Sequence, residues 1–222
     1  MPALVASAVP AAAHANAPTA PVTAAQRHAP GHTVTLPVRD ALAALPVQDE
    51  SRAGYTRDKF KHWIDADKDG CNTRAEVLLA EAVNTPTAGP RCALTGGTWH
   101  SPYDDQYFDN ARQLDVDHLV PLAEAWDSGA STWTSKQREA YANDLDDPRA
   151  LIAVSAASNR SKADQDPSTW LPPSTGYWCT YVTDWVADKT RHQLSIDPAE
   201  RAALAERLAA CPNQPITVTL AR

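Results

Sequence analysis

The sequence predicts an α+β fold: a mostly helical single domain, stapled by disulfides. Three observations predict it. Several stretches carry helix caps or helix-period apolar residues, two apolar runs have the length of strands, and four cysteines are spread at wide spacing. At 222 residues, 43% of them apolar, with seven tryptophans, the chain has material for one substantial core. No apolar run approaches the roughly 18 residues that a membrane helix needs.

Taken in order, residues 1–15 have no charged residue other than His14 and are rich in Ala and Val. They end Ala13-His14-Ala15, the small-x-small pattern of a secretory cleavage site. They read as a signal-peptide remnant without its positive start, or as an Ala/Pro tail. Residues 16–50 read as a disordered or linker segment, Ala/Pro/Thr-rich to about Pro37, with a short lead-in element at Val38 to Ala44. The domain proper is expected at 51–212, and 213–222 as a C-terminal tail.

Within the domain, Arg57 to Ile64 reads as an amphipathic helix with Phe60, Trp63 and Ile64 on one face and His62 as a surface residue. Ala75 to Ala82 reads as a second helix. Leu114 to Val120 is a strand. Pro121 then opens a short helix ended at Gly129, since proline favours the first turn and glycine the position past the end. Thr134 to Gln137 is a capping box for a helix through about Asn143. Leu151 to Val154 is a strand candidate, and Ser155 to Lys162 a helix. Tyr177 to Lys189 is helical, and Asp197-Pro198-Ala199-Glu200 caps a final helix that ends before Cys211.

The cysteines, Cys71, Cys92, Cys179 and Cys211, fit a secreted chain, and none forms a close C-x-x-C pair. Sequence order suggests Cys71–Cys92 and Cys179–Cys211, one of three possible pairings. Such bridges stabilise by roughly 2–4 kcal/mol. The net charge of −7 argues against a protein that coats nucleic acid, which would be basic. It is compatible with a carboxylate-rich site that attracts phosphate once a cation is bound.

The chemistry concentrates in Asp115-Val-Asp117-His118-Leu-Val-Pro121 and, downstream, Asn159-Arg160-Ser161-Lys162. A carboxylate beside an imidazole offers a hard metal ligand and a proton acceptor at one point, and a carboxamide offers a second oxygen. These are the parts for metal-assisted phosphodiester hydrolysis. Neighbours on a strand point to opposite faces, so Asp117 and His118 share a site only if the strand ends or bulges there. Lys162, three residues after Asn159, shares its helix face and is the better candidate for phosphate contact. Arg160 is a weaker one.

These residues resemble the HNH, or ββα-metal, endonucleases. DVDHLVP (Asp115 to Pro121) and NRSKAD (Asn159 to Asp164) match stretches in the HNH domain of RNA-guided CRISPR nucleases. The closer resemblance is to the secreted bacterial group with a GmrSD C-terminal-type HNH domain. It runs through PLAEAWDSGA, LIAVSAASNRSK and DPSTWLPP, and upstream through DADKDGCNTRAEVL and TWHSPYDD, from about Arg52 to Pro212. The resemblance implies a β-hairpin packed on a helix around one divalent ion, Mg2+ or Mn2+. It makes His118 the general base and Asp117 and Asn159 the metal ligands. It implies a secreted endonuclease acting on DNA or RNA, and a monomer is expected. No recognition module is visible, so little sequence preference is expected. The middle N of H-N-H has Asn143 as its one candidate, the alternative being a residue that ends the preceding helix.

A second constellation, Asp65-x-Asp67-x-Asp69-Gly70 with Glu76 in the twelfth position, matches an EF-hand calcium loop. It reads as a single structural Ca2+ site, as an acidic turn, or as a loop whose Arg74 reaches phosphate in the nuclease cleft. Trp99, His100 and Tyr103 are aromatic residues that could stack on bases, with core packing the plainer role for the tryptophan. The rival to the nuclease is a non-catalytic extracellular calcium-binding module, against which the paired DxDH and NRxK stand.

Overall fold

The computed structural model describes residues 29–221, so the expected signal remnant at 1–15 lies outside the described residues. Along the chain run β1 (Thr33–Pro37), α1 (Val38–Ala44), α2 (Thr73–Ala80), β2 (Ala82–Asn84), β3 (Thr87–Ala88), β4 (Leu94–Thr95), β5 (Thr98–Ser101) and β6 (Gln106–Phe108). There follow β7 (Leu114–His118), α3 (Leu122–Asp127), α4 (Ser135–Ala142), β8 (Leu151–Ser155), α5 (Ala156–Lys162), α6 (Trp178–His192), α7 (Pro198–Ala209) and β9 (Pro215–Thr219). The strands form small antiparallel sheets, β1–β9, β2–β5–β6, β3–β4 and β7–β8, rather than one large one.

Local chemistry explains most helix starts. Asn72 caps α2 by accepting from the Ala75 amide, and Ser155 caps α5 by accepting from Ser158. Thr134 and Gln137 form the expected capping box on α4, and Asp197 caps α7. Gly129, at φ +119°, ends the α3 segment in a conformation that glycine adopts without a Cβ clash.

The main core gathers around α6, whose Tyr181, Val182, Trp185 and Val186 are fully buried. Against it pack Val38 and Leu42 of α1, Leu204 and Leu208 of α7, and Ile216 and Val218 of β9. Inside this apolar surround lies the Lys189 ammonium. It donates to Glu124 (2.7 Å), Glu200 (2.6 Å), the Ser128 hydroxyl (2.9 Å) and the Ser195 carbonyl (3.0 Å). Those acceptors tie α3, α6 and α7 together, because a buried charge is tolerated only when paired. A smaller core of Val77, Leu78, Trp99, Leu114, Val116 and Leu151 lies under β7 and β8. The disulfides join Cys71 to Cys92 and Cys179 to Cys211, the pairing that sequence order suggests.

Two expectations are corrected. Arg57 to Ile64 is not an α-helix: a single 3-10 turn, Arg57–Lys59, is followed by irregular chain with Trp63 at φ +58°. Its apolar residues do turn inward, but the backbone groups of Lys61 and Ile64 bond to the Asn143 side chain instead of to a helical ladder. Nor are the ends linker and tail. β1 lies within the 16–50 segment, ahead of the expected lead-in element at Val38 to Ala44, which is α1, and β9 lies within 213–222. β1 pairs with β9 from Thr33↔Thr219 to Pro37↔Pro215, burying Ile216 and Val218 and facing Thr35 to Thr217 across the exposed side. A five-residue strand whose partner lies at the other end of the chain has too little local pattern to be read alone.

Glu81, just past α2, accepts the Ala153 amide of β8 at 2.8 Å, and burial pushes its carboxyl from 4.5 to about 7. The native state therefore holds this proton more tightly than the unfolded chain. Its stabilising effect is full below pH 4.5 and is lost as pH rises through 7. Glu81→Gln keeps the acceptor and removes the titration. It should raise stability at pH 8 by about 1–3 kcal/mol and flatten the melting temperature between pH 5 and 8. Melting curves that run parallel in the two proteins would refute this.

Candidate active site

β7 and β8 pair antiparallel from Leu114↔Ser155 to His118↔Leu151, and β8 runs straight into α5, which lies back on β7. The contact matches two periodicities. Asp115 and Asp117, two apart on the strand, share one face; Asn159 and Lys162, three apart on the helix, share one face. Asn159 Nδ2 donates to Asp115 Oδ2 (3.2 Å), and Lys162 Nζ donates to Asp117 Oδ2 (2.6 Å) and to the His118 carbonyl (3.0 Å). The start of α5 is fixed from the loop after β5. Asp104 accepts from the hydroxyls of Ser101, Ser155 and Ser158.

The strand ends at His118, and that resolves the problem of adjacent residues facing opposite ways. Asp117 and His118 are both buried, at 6% and 5% exposure, yet both border one cleft of about 260 Å³ with Arg57, Pro121, Asn159 and Arg160. The imidazole donates through Nε2 to the Ala142 carbonyl at 2.9 Å, which leaves Nδ1 as the acceptor nitrogen. Burial lowers its pKa to about 3, the Ala142 bond opposes that, and the charges of Arg57, His62 and Lys162 press it lower. His118 is thus neutral at physiological pH. Burial raises the Asp117 pKa against the opposing pull of Lys162 and of the Tyr103 hydroxyl, which donates to Oδ2 at 2.7 Å.

The residues fit a divalent cation. Both hydrogen bonds to Asp117 end on Oδ2, leaving Oδ1 as a ligand, and Asn159 donates through Nδ2, leaving its carbonyl oxygen. A carboxylate and a carboxamide oxygen are the donors that magnesium accepts alongside its waters.

The remaining sequence-predicted residues are placed as follows. Lys162 is fully buried on Asp117 and does not face the cleft as a free cation; Arg160 lines the cleft instead. The expected order of the two is reversed because the face carrying Asn159 and Lys162 is the one that packs on β7. Arg74 donates to the Ala111 and Leu114 carbonyls, where it secures the start of β7 away from the cleft. Trp99 and Tyr103 are fully buried and cannot stack on bases, while His100 pairs with Asp105. Asn143 caps α4 and bonds to Lys61, Ile64 and Thr73.

In the acidic loop the carboxylates of Asp65, Asp67 and Asp69 come within 4.8 Å of one another, as do those of Asp69 and Glu76. Asp65 accepts from Gly70, Asp67 from Asp69, and Asp69 from Cys71. The loop leads into α2, but no α-helix enters it, unlike a complete EF-hand.

Sequence reasoning missed Asp104 and Arg57, and offered Tyr103 for base stacking and not as a partner of Asp117. Tyr103 and Asp104 sit in the TWHSPYDD stretch, whose resemblance to the family was the available signal. Arg57 had none. It borders the cleft, and its guanidinium makes no hydrogen bond or ion pair among the described residues.

Comparison with known proteins covers the strand pair and helix that carry Asp117, His118 and Asn159. The model of the family described as GmrSD restriction endonucleases, C-terminal domain, matches residues 73–207, which take in β7, β8 and α5. A protein of Arthroderma benhamiae, described as an uncharacterized secreted protein, is 45% identical over 171 residues, 77% of this chain and 82% of that one. No solved structure gives a match. With more than half of its length matched, the cleft's Asp117, His118 and Asn159 included, the chain belongs to the GmrSD restriction endonuclease C-terminal domain family.

Proposed function

We propose that this protein is a secreted, metal-dependent HNH endonuclease that hydrolyses phosphodiester bonds of DNA, or of RNA, with little sequence preference. The observation that supports it most is the convergence of Asp117, His118 and Asn159 on one cleft at the end of β7, in a chain of a nuclease family. In this reading β7, β8 and α5 are the ββα core. Neutral His118 takes the proton of a water that attacks phosphorus in line with the leaving 3′-oxygen. Arg57 and Arg160 hold the phosphate backbone. Asp117 and Asn159 hold Mg2+ or Mn2+, which when bound supplies positive charge to the non-bridging and leaving oxygens. Secretion is favoured by the two disulfides and by the likeness to a secreted protein of Arthroderma benhamiae. Among the described residues no helix is long and apolar enough to cross a membrane.

His118→Ala should lower the rate of supercoiled-plasmid nicking by roughly 10²–10⁴-fold, the usual contribution of a general base. Chelation should abolish nicking by the wild type, and added Mg2+ or Mn2+ should restore it. Near-wild-type nicking by the variant would remove His118 from the role. Failure of the wild type on both DNA and RNA would overturn the nuclease reading.

The converging carboxylates of Asp65, Asp67, Asp69 and Glu76 are proposed to hold Ca2+. Calcium at about a hundred times its dissociation constant should then stabilise the fold by about 2.7 kcal/mol. The effect would be read as a rise in melting temperature that is absent in Asp65→Asn/Asp69→Asn. Equal melting of both proteins with and without calcium would make the loop an acidic turn.

A further inference from the structure

We propose that Trp63 is a positioning residue for His118, an indole held in a strained backbone conformation by Asn143 so that it fixes the plane of the imidazole. The inference rests on the reading of His118 as the base, and names a residue that reading does not use.

Trp63 has φ +58°, in the left-handed region that non-glycine residues avoid and bulky ones avoid most. Such a conformation persists only where the surroundings over-determine it, and it tends to occur at functional sites. Here the determinants flank the residue. Asn143 Nδ2 donates to the Lys61 carbonyl (2.8 Å) on one side, and its Oδ1 accepts from the Ile64 amide (3.1 Å) on the other. Thr73 donates its hydroxyl to the same Oδ1 (2.8 Å) and its amide to the Ile64 carbonyl (2.8 Å), closing the loop behind Trp63. His62 bonds through Nδ1 to the Phe60 carbonyl. Hydrogen bonds thus hold the chain on both sides of Trp63.

That loop brings the indole against the imidazole. The Trp63 and His118 rings are nearly parallel, with centroids 5.3 Å apart and planes 26° apart. Tyr141 presents a second near-parallel ring at 6.4 Å, and His62 stands edge-on to both His118 and Trp63. His62, expected at the surface, is half-buried in this cluster. Both halves of the device hang on adjacent residues: the Ala142 carbonyl receives His118 Nε2, and the Asn143 carboxamide holds the Trp63 loop.

The function follows from what one hydrogen bond leaves undone. The bond to Ala142 fixes a single atom of the imidazole, and the ring can still rock about it. A base must present its lone pair to water in one direction, and small misplacements lose large factors in rate. A flat neighbour removes the rocking motion. Packing alone does not account for Trp63, since it is half-buried at the margin of the smaller core and any apolar side chain in a relaxed conformation would cover that margin. Trp63 also precedes the family match, which begins at residue 73. Tyr141, Ala142 and Asn143, which meet His118 and the Trp63 loop, lie within the matched residues.

The test is plasmid cleavage with Mg2+ by the full chain, with kcat and KM measured separately for wild type, Trp63→Phe, Trp63→Leu, Trp63→Ala and His118→Ala. The His118 ring-proton NMR resonance, assigned by its loss in His118→Ala, is recorded alongside. Trp63→Ala and Trp63→Leu should lower kcat roughly 10–100-fold, part of the 10²–10⁴ that a base contributes, with KM within about twofold. Trp63→Phe, which keeps a ring, should recover most of the rate. Trp63→Leu fills the volume without a plane, so it decides the matter if the alanine variant does not fold. The His118 resonance should move downfield in the variants without a ring. An unchanged kcat, a raised KM with kcat intact (the indole then being a substrate contact), or an unmoved resonance would each overturn the proposal. Wild type inactive on every nucleic acid would instead sink the nuclease reading, and the resonance would then decide alone whether Trp63 holds the imidazole.

Discussion

Lys162 Nζ, fully buried, lies 2.6 Å from Asp117 Oδ2 and 3.0 Å from the His118 carbonyl, and so joins the last turn of α5 to the last two residues of β7. Taking both charges out of water costs several kcal/mol per ion before their attraction and hydrogen bonds offset it. The offset here is unusually complete, because Tyr103 gives Asp117 a second donor and the His118 carbonyl gives Lys162 a second acceptor. The pair sets the register of helix on strand. A different register would separate Asn159 from Asp115 and leave a charge alone in the interior. The positions of Asp117, His118 and Asn159 relative to one another all depend on it.

The same pair neutralises itself, so the cleft's field comes from elsewhere. Arg57 and Arg160 border it, while a second cavity of about 540 Å³ lies alongside, lined by Glu50, Glu124, Asp166 and Asp197 with Arg52. Asp164 borders both spaces. A polyanion is repelled from the acidic side and attracted at the two arginines, which orients its approach in a chain whose net charge is −7. Within the acidic cavity, burial and the neighbouring charge of Glu124 push the Glu50 carboxyl up to about 8, so near neutral pH that wall is less charged than its composition suggests.

Asn143 gathers the local architecture. It ends α4, ties together the two ends of the acidic loop through Ile64 and Thr73, and follows the residue that holds His118. Asn143 and its neighbour Ala142 thus contact both the acidic loop's ends and the imidazole, and the Cys71–Cys92 bridge holds the loop's far side.

What the sequence by itself determined follows local rules. The caps at Thr134 and Asp197, the strands at Leu114 and Leu151 and the helix after Ser155 depend on neighbours within a few residues, and those neighbours can be read along the chain. The DVDH and NRSK stretches likewise identified Asp117, His118 and Asn159 as the residues to bring together. Only the tertiary structure decided which cation would face outward. Lys162 and Arg160 are two residues apart, on opposite sides of the helix, and burial of one face on β7 consumed Lys162 and left Arg160 at the cleft. It also decided that Arg57 would border the cleft and Trp63 lie against His118, that the predicted 57–64 helix would give way to Asn143, and that β1 would find β9. Each of those outcomes turns on a partner distant in sequence, and a backbone amide or a charged side chain takes whichever partner the folded chain brings within about 3 Å.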